Sequence, residues 1–200
     1  MEKVIILGYE FVTVLLAEIL TTMIFCRIYR KKSIKISGRH ILCTAFFAVY
    51  IFGVFHFTGA GTIFDAGFYG IEFRSDQLNL IPFSDKSIDF MAYGLNVLLF
   101  IPLGFLLPFI WLDSASVKYI GFFGAALSLL VEASQLLNNR RTDVDDLILN
   151  TVGALLGFIL YKIFCCDLKC ASLYSVSYKN EAAIYMLMMF LGRFLLFNEF

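Results

Sequence analysis

Apolar residues fill five windows of the chain: residues 4–25, 41–57, 90–112, 117–137 and 147–164. Each approaches the roughly 20 residues that carry a helix across a bilayer. A sixth stretch, residues 182–197, is apolar but shorter and carries Arg193. It either spans or lies along the interface, and spanning is the favoured reading. The pattern predicts an all-α, polytopic transmembrane helix bundle of five to six spans with no large soluble domain. The first window is too long, and too interrupted by Glu10 and Glu18, for a typical cleaved signal peptide, and it lacks a clear small-residue cleavage site.

The polar positions that break this pattern gather at one point. Between the fourth and fifth windows the chain reads Glu132-x2-Gln135-x4-Arg140-Arg141-x-Asp143-x-Asp145-Asp146-x3-Asn150-x2-Gly153. A carboxylate inside an apolar span is costly and marks a functional site by default. The loop at residues 138–146 is short, so spans four and five should form an antiparallel hairpin. Glu132 lies nine residues before Arg141 and Asn150 nine after it, which puts both at a similar depth. On span four, Gly121, Ala125, Ser128, Glu132 and Gln135 form one seam. On span five, Asp146, Asn150, Gly153 and Gly157 form another. Small residues at this period let helices approach, and polar ones bond across the contact. Glu132 and Asn150 are therefore expected to face each other or a shared cavity.

Span three adds Asn96, about two turns from its start and at a comparable depth. Pro102 and Pro108 each free a backbone carbonyl, a break tolerated where neighbours or water re-satisfy it. With Gly104, they predict a kinked span lining the cavity, and the preceding Asn79-Leu80-Ile81-Pro82-Phe83 is expected to dip over its mouth. The candidate pocket is then Asn96, Glu132, Gln135, Arg140, Arg141, Asp145, Asp146 and Asn150, with Pro82, Pro102, Gly104, Gly153 and Gly157 as structural residues. Plainer roles stand beside these. Asn96 and Asn150 could be interhelical glue. Glu132 could pair with Arg140 or Arg141, Gly104 and Gly153 could serve packing alone, and Asp145 or Asp146 could cap span five.

Composition narrows the class. Only 16% of the 200 residues are charged, 60% are apolar, and mean hydropathy is +0.82. A soluble domain carries roughly 25% charged residues. Lys and Arg total 16 against 16 Asp and Glu, a balance that argues against a nucleic-acid partner. Arg27, Arg30, Lys31, Lys32, Lys35 and Arg39 crowd the loop after the first span, which places that loop in the cytoplasm. The N-terminus is then outside. Residues 58–89, with Arg74 and Lys86, form an outer loop, and the Arg140-Arg141 turn is outside too. Lys162, Lys169 and Lys179 return to the cytoplasmic side.

Cys26, Cys43, Cys165, Cys166 and Cys170 all fall near the cytoplasmic side, where thiols stay reduced. The last three match no usual zinc spacing, so no metal and no cofactor is expected. Glu10 and Glu18 share a face of span one, and either could form a structural ion pair with Arg193. His40 belongs with the basic loop, and His56 at the opposite end of span two reads as interfacial.

These residues together resemble the VanZ-like family of small bacterial membrane proteins. The likeness rests on Asn79-Leu80-Ile81-Pro82-Phe83, Asn96 with Phe100-Ile101-Pro102-Leu103-Gly104, Glu132-x2-Gln135, Arg140 or Arg141, and Asp145-Asp146-x3-Asn150-Thr151-x-Gly153. It divides the chain into a first span and basic loop (1–41), a VanZ-like membrane domain (42–163) and a linker with the sixth segment (164–200). The resemblance implies a multi-pass protein of the bacterial cell membrane. It also implies a role in resistance to teicoplanin and lipoglycopeptides without remaking the peptidoglycan terminus that glycopeptides bind.

Three modes of action are open. A non-enzymatic factor would bind membrane lipid, a lipid-linked cell-wall intermediate or the drug's lipophilic anchor. An enzyme acting on a lipid-linked head group would use Glu132 as general acid or base, with Asp145 and Asp146 helping to hold Mg²⁺. A small transporter fits less well, because the polar groups cluster at one depth. The oligomeric state is not legible.

Overall fold

The computed structural model describes residues 1–34, 36–70, 77–84, 89–165 and 180–199. Its helices are α1 (Glu2–Lys31), α2 (Gly38–Thr58), the short α3 (Ile63–Tyr69), α4 (Phe90–Ile110), α5 (Val117–Gln135), α6 (Val144–Cys165) and α7 (Glu181–Leu196). All but α3 and α7 are long and apolar enough to cross a membrane. One small parallel pairing departs from the all-helical pattern: β1 (Leu78–Asn79) lies against β2 (Thr142–Asp143). Of the expected cysteine cluster, only Cys165 falls among the described residues, and Lys35, Arg74, Lys86, Lys169 and Lys179 lie outside them.

Helix starts follow side-chain caps. Ser37 Oγ accepts from Arg39 N at the start of α2, Asp89 from Met91 N and Ala92 N at α4, and Ser116 from Tyr119 N at α5. Each cap satisfies an amide with no partner inside its helix.

Helices α4, α5 and α6 pack as one group, and α1, α2 and α7 as another, with α2 touching α4 between them. The tightest seam joins α4 to α6. A Cβ on Gly153 would stand 2.2 Å from the carbonyl oxygen of Val97, one on Gly157 1.9 Å from that of Ile101, and one on Gly104 1.7 Å from that of Ala154. Gly153 and Gly157 therefore face α4, not the seam of α5 expected for them. The physical reason is position: α6 lies between two neighbours, so one small stripe serves α4 while Asn150 and Ala154 turn toward α5. A Cβ on Gly124 of α5 would meet the Ala154 side chain at 2.8 Å. Helix α4 runs through Pro102 and Pro108 as one helix, and neither proline lines the cavity described below.

The second group is held by polar side chains, most of them buried, at three levels. At one end, Arg193 Nε donates to Glu10 Oε1 at 2.7 Å, and His56 Nδ1 lies 2.8 Å from Glu10 Oε2. In the middle, Glu18 Oε1 accepts from Thr22 and Thr44, and the Thr22 hydroxyl meets Tyr185 OH at 2.8 Å. At the far end, Glu181 takes His40 Nε2 at 2.8 Å and Tyr29 OH at 2.5 Å. Arg193 thus pairs with Glu10, whereas Glu18 meets hydroxyls. His40 is not a loop residue: it lies in the first turn of α2, 9% exposed, because Glu181 gives it a buried partner. These contacts run α7 antiparallel to α1 through the bundle. Its 16 residues give a length of about 24 Å.

Glycine contact at the α4–α6 seam predicts a position-specific penalty. Gly157→Ala should lower stability by about 2 kcal/mol, the scale of core overpacking. Gly121→Ala, whose Cβ would meet only Leu155 Cδ2 at 3.7 Å, should be close to neutral. Thermal unfolding of the two variants in detergent checks the contrast.

Candidate functional site

The chain turns sharply after α2, and the turn organises the site. Gly59 closes α2 with φ +64°, a left-handed conformation that favours glycine. The last carbonyls of α2 then need partners from elsewhere in the chain. Gln135 Nε2 and Arg140 Nη1 donate to Thr58 O at 2.7 and 2.6 Å, and Asn138 Nδ2 to Gly59 O at 3.0 Å. Ser134 Oγ accepts from Gly61 N at 3.0 Å, and from the other side Arg193 Nη1 donates to Ala60 O at 2.6 Å. A cation at a helix C-terminus is also favoured by the helix dipole. A Cβ on Gly59 would lie 2.0 Å from Arg140 Nη1, and one on Gly61 2.0 Å from Ser134 O. Sequence reasoning passed over Gly59-Ala60-Gly61, although glycine at the end of an apolar window is a helix-stop signal.

The turn between α5 and α6 is tied down in turn. Asp143 N donates to Glu132 Oε2 at 3.1 Å, and Thr142 Oγ1 to Glu132 O at 3.1 Å. Asp143 Oδ1 accepts from Asp145 N at 3.0 Å, so Asp143 caps the start of α6, the role expected of Asp145 or Asp146. No hydrogen bond or ion pair joins Glu132 to Arg140 among the described residues.

These ties leave a cavity of about 300 Å³ lined by Phe57, Thr58, Asn96, Glu132, Gln135, Arg140, Arg141, Asp146 and Asn150. Asn96 Nδ2 donates to Asp146 Oδ1, which joins α4 to α6 at the wall. Asn150 Nδ2 donates to Ser128 Oγ at 2.9 Å, while its buried Oδ1 has no partner within the protein. A buried acceptor left without a donor is costly, and a donor in the cavity would satisfy it. Glu132 and Asn150 do not bond each other; both line the cavity. Arg140 and Arg141 are exposed at the rim.

Asp145 stands apart from the other seven candidates. It is 1% exposed and turned away from the cavity, accepting from Phe83 N at 2.8 Å and from Tyr93 OH. The carboxylates of Glu132, Asp145 and Asp146 therefore do not converge on one point, which removes the three-carboxylate set suggested for Mg²⁺. Asp145 instead anchors the Asn79–Phe83 segment. Pro82 occupies its turn, Phe83 has φ +54°, and Asn79 Nδ2 donates to Asp143 Oδ2 at 3.0 Å while Asn79 Oδ1 accepts from Ser84 Oγ at 2.9 Å. The segment is pinned beside the cavity and does not line it. Asn79, Asp143, Tyr93 and Ser128 are the positioning residues that the sequence-based site left out.

A bundle of long apolar helices with a polar cavity at the end of a helix hairpin fits a multi-pass membrane protein with a candidate binding site. Residues 42–165 match the VanZ/LLP1 family model, and the chain belongs to that family. It is 38% identical over 95 residues to Protein VanZ of Enterococcus faecium, a match covering 44% of this chain and 55% of the relative. The chain thus spans about half the length of the curated relative it matches. No solved structure matches it.

The anchoring role of Asp145 is testable. Asp145→Ala leaves the Phe83 amide without its acceptor, so amide exchange at Phe83 should quicken by about tenfold or more. Exchange within α4 should change far less. Hydrogen exchange followed by mass spectrometry resolves the two segments.

Proposed function

We propose that this protein lowers sensitivity to teicoplanin and related lipoglycopeptides by binding a lipid-linked molecule at the outer face of the membrane. The head group would enter the cavity of Asn96, Glu132, Gln135, Asp146 and Asn150, with Arg140 and Arg141 meeting phosphate or carboxylate at the rim. The observation that carries this reading is the cavity itself: seven polar or charged side chains from α4, α5, α6 and their turn line one space at the end of an apolar bundle. The unpartnered Oδ1 of Asn150 supports it, since a ligand hydroxyl or amide is a suitable donor. The outward orientation rests on the basic loop after the first span. Arginine suits the head group because its planar fork pairs with phosphate and carboxylate oxygens. Occupying the lipid anchor's place would weaken a lipidated drug with no change in its target, as each buried methylene contributes about 0.8 kcal/mol to anchoring.

Deleting the protein should lower the inhibitory concentration of teicoplanin and leave that of vancomycin, which lacks the anchor, unchanged. Equal shifts for both drugs would count against the proposal.

One observation favours a second reading, an enzyme acting on the same head group. Two carboxylates, Glu132 and Asp146, line a single cavity with two arginines at its rim. That set can supply a general acid or base beside a phosphate clamp. Glu132→Gln separates the readings. If extracted lipids and drug sensitivity both stay as in wild type, catalysis by Glu132 is excluded. A changed lipid profile would favour the enzyme.

A further inference from the structure

A second and larger cavity, about 630 Å³, lies beside the first. It is enclosed by the start of α1, the turn after α2, α3 and the end of α7, and its size falls within the ~300–1,000 Å³ range of small-ligand pockets. The function proposed above makes no use of it. Its α1 and α7 walls lie outside residues 42–165, so the parts of the chain beyond the family match complete a chamber whose other walls lie within it.

Its lining has two characters. Val4, Ile6 and Leu7 of α1 and Phe197 after α7 form an apolar wall. Val4 is 72% exposed, so that wall continues onto the outer surface of the bundle. The floor carries Glu10 and Asp65, and both carboxylates are already partnered. Glu10 holds Arg193 and His56, while Asp65 accepts from the Thr62 amide at 2.6 Å and the Thr62 hydroxyl at 3.1 Å. Among the described residues, the lining charges left without an ionic partner are Lys3 and Arg140 against Asp65 and Glu199, two of each sign, and of these carboxylates Asp65 is already taken up by Thr62. Arg140 lines both cavities, and its Nη1 bonds a neutral carbonyl, leaving other guanidinium N–H groups for an anion.

We infer that this chamber binds an amphiphile with a phosphate head, the head at Arg140 and Lys3 and the chain along Val4, Leu7 and Phe197. The inference does not require that the first cavity be occupied. Arg140 would then be the point at which the two chambers meet, held in place by the carbonyl of Thr58.

Native mass spectrometry on the full chain released from neutral maltoside micelles tests this. The probe is dodecyl phosphate, with inorganic phosphate and dodecanol as separate arms. Dodecyl phosphate should bind at one site more tightly than either arm. Leu7→Trp and Val4→Trp, which fill the apolar wall, should each weaken it, and Arg140→Gln should weaken it by about tenfold, the weight of a charge-assisted hydrogen bond. Val4 is a surface position, so its variant remains informative if Leu7→Trp fails to fold. Gly121→Ala, which touches neither cavity, should leave binding unchanged. Inorganic phosphate binding as tightly as dodecyl phosphate would overturn the amphiphile. Binding that survives both tryptophan variants, or is lost equally in Gly121→Ala, would overturn the chamber. None of these outcomes depends on drug sensitivity, so this inference and the proposed function can fail separately.

Discussion

Helix α2 ends in backbone carbonyls that have no partner within the helix, and the protein satisfies them with its own side chains. Inside a bilayer an unmet backbone group costs several kcal/mol, which is why spans are helical and their irregular ends are buried in protein. Here Gln135, Asn138 and Arg140 reach the α2 turn from the α5–α6 hairpin, and Arg193 reaches it from α7. One requirement therefore brings both helix groups to the same four residues. It also fixes the cavity. Gln135 and Arg140 line that space because the carbonyl of Thr58 holds them there, so their first duty is structural and any ligand meets groups already oriented.

The opposite wall is set by a different force. Helices α4 and α6 approach until glycine Cα atoms meet the carbonyls of Val97 and Ile101. Small residues permit such an approach, and packing alone drives it, since lipid tails are as apolar as the side chains. The approach brings Asn96 to Asp146 and leaves Asn150 turned toward Ser128 of α5. The cavity is thus the space left where a glycine seam and a polar clasp meet. A bulkier seam would separate Asn96 from Asp146 without touching either residue.

Depth along a helix was legible in the sequence; direction around it was only partly so. Counting residues at 1.5 Å each put Asn96, Glu132 and Asn150 at one level, and all three line the same space. The same count could not say which neighbour Gly153 and Gly157 face, because a helix between two partners offers two stripes of similar composition. Nor could it separate Asp145 from Asp146. Adjacent positions differ by about 100° around a helix, so one points into the cavity and the other onto the Phe83 segment. His40 was misplaced for a related reason: its partner Glu181 lies 141 residues away, and no local pattern announces such a pair.

The pairing of α1 with α7 shows why ionisable residues persist in otherwise apolar helices. Uniform apolar faces would let α7 slide by a turn at little cost. Three unlike polar contacts forbid that: Glu181 with His40 and Tyr29, Tyr185 with Thr22, and Arg193 with Glu10. A shift of one turn would leave each of these groups buried without its partner, and stranding one member of a buried ion pair costs about 3–5 kcal/mol. Fixing register is the best-attested use of buried polar groups, and here it has a local consequence. In the correct register Arg193 reaches both Glu10 and the carbonyl of Ala60, so α7, which lies outside the family match, is aligned by the same turn that positions Arg140. The alignment of α7 and the geometry of the cavity are therefore coupled through four residues of backbone, although no side chain of α7 lines the cavity itself.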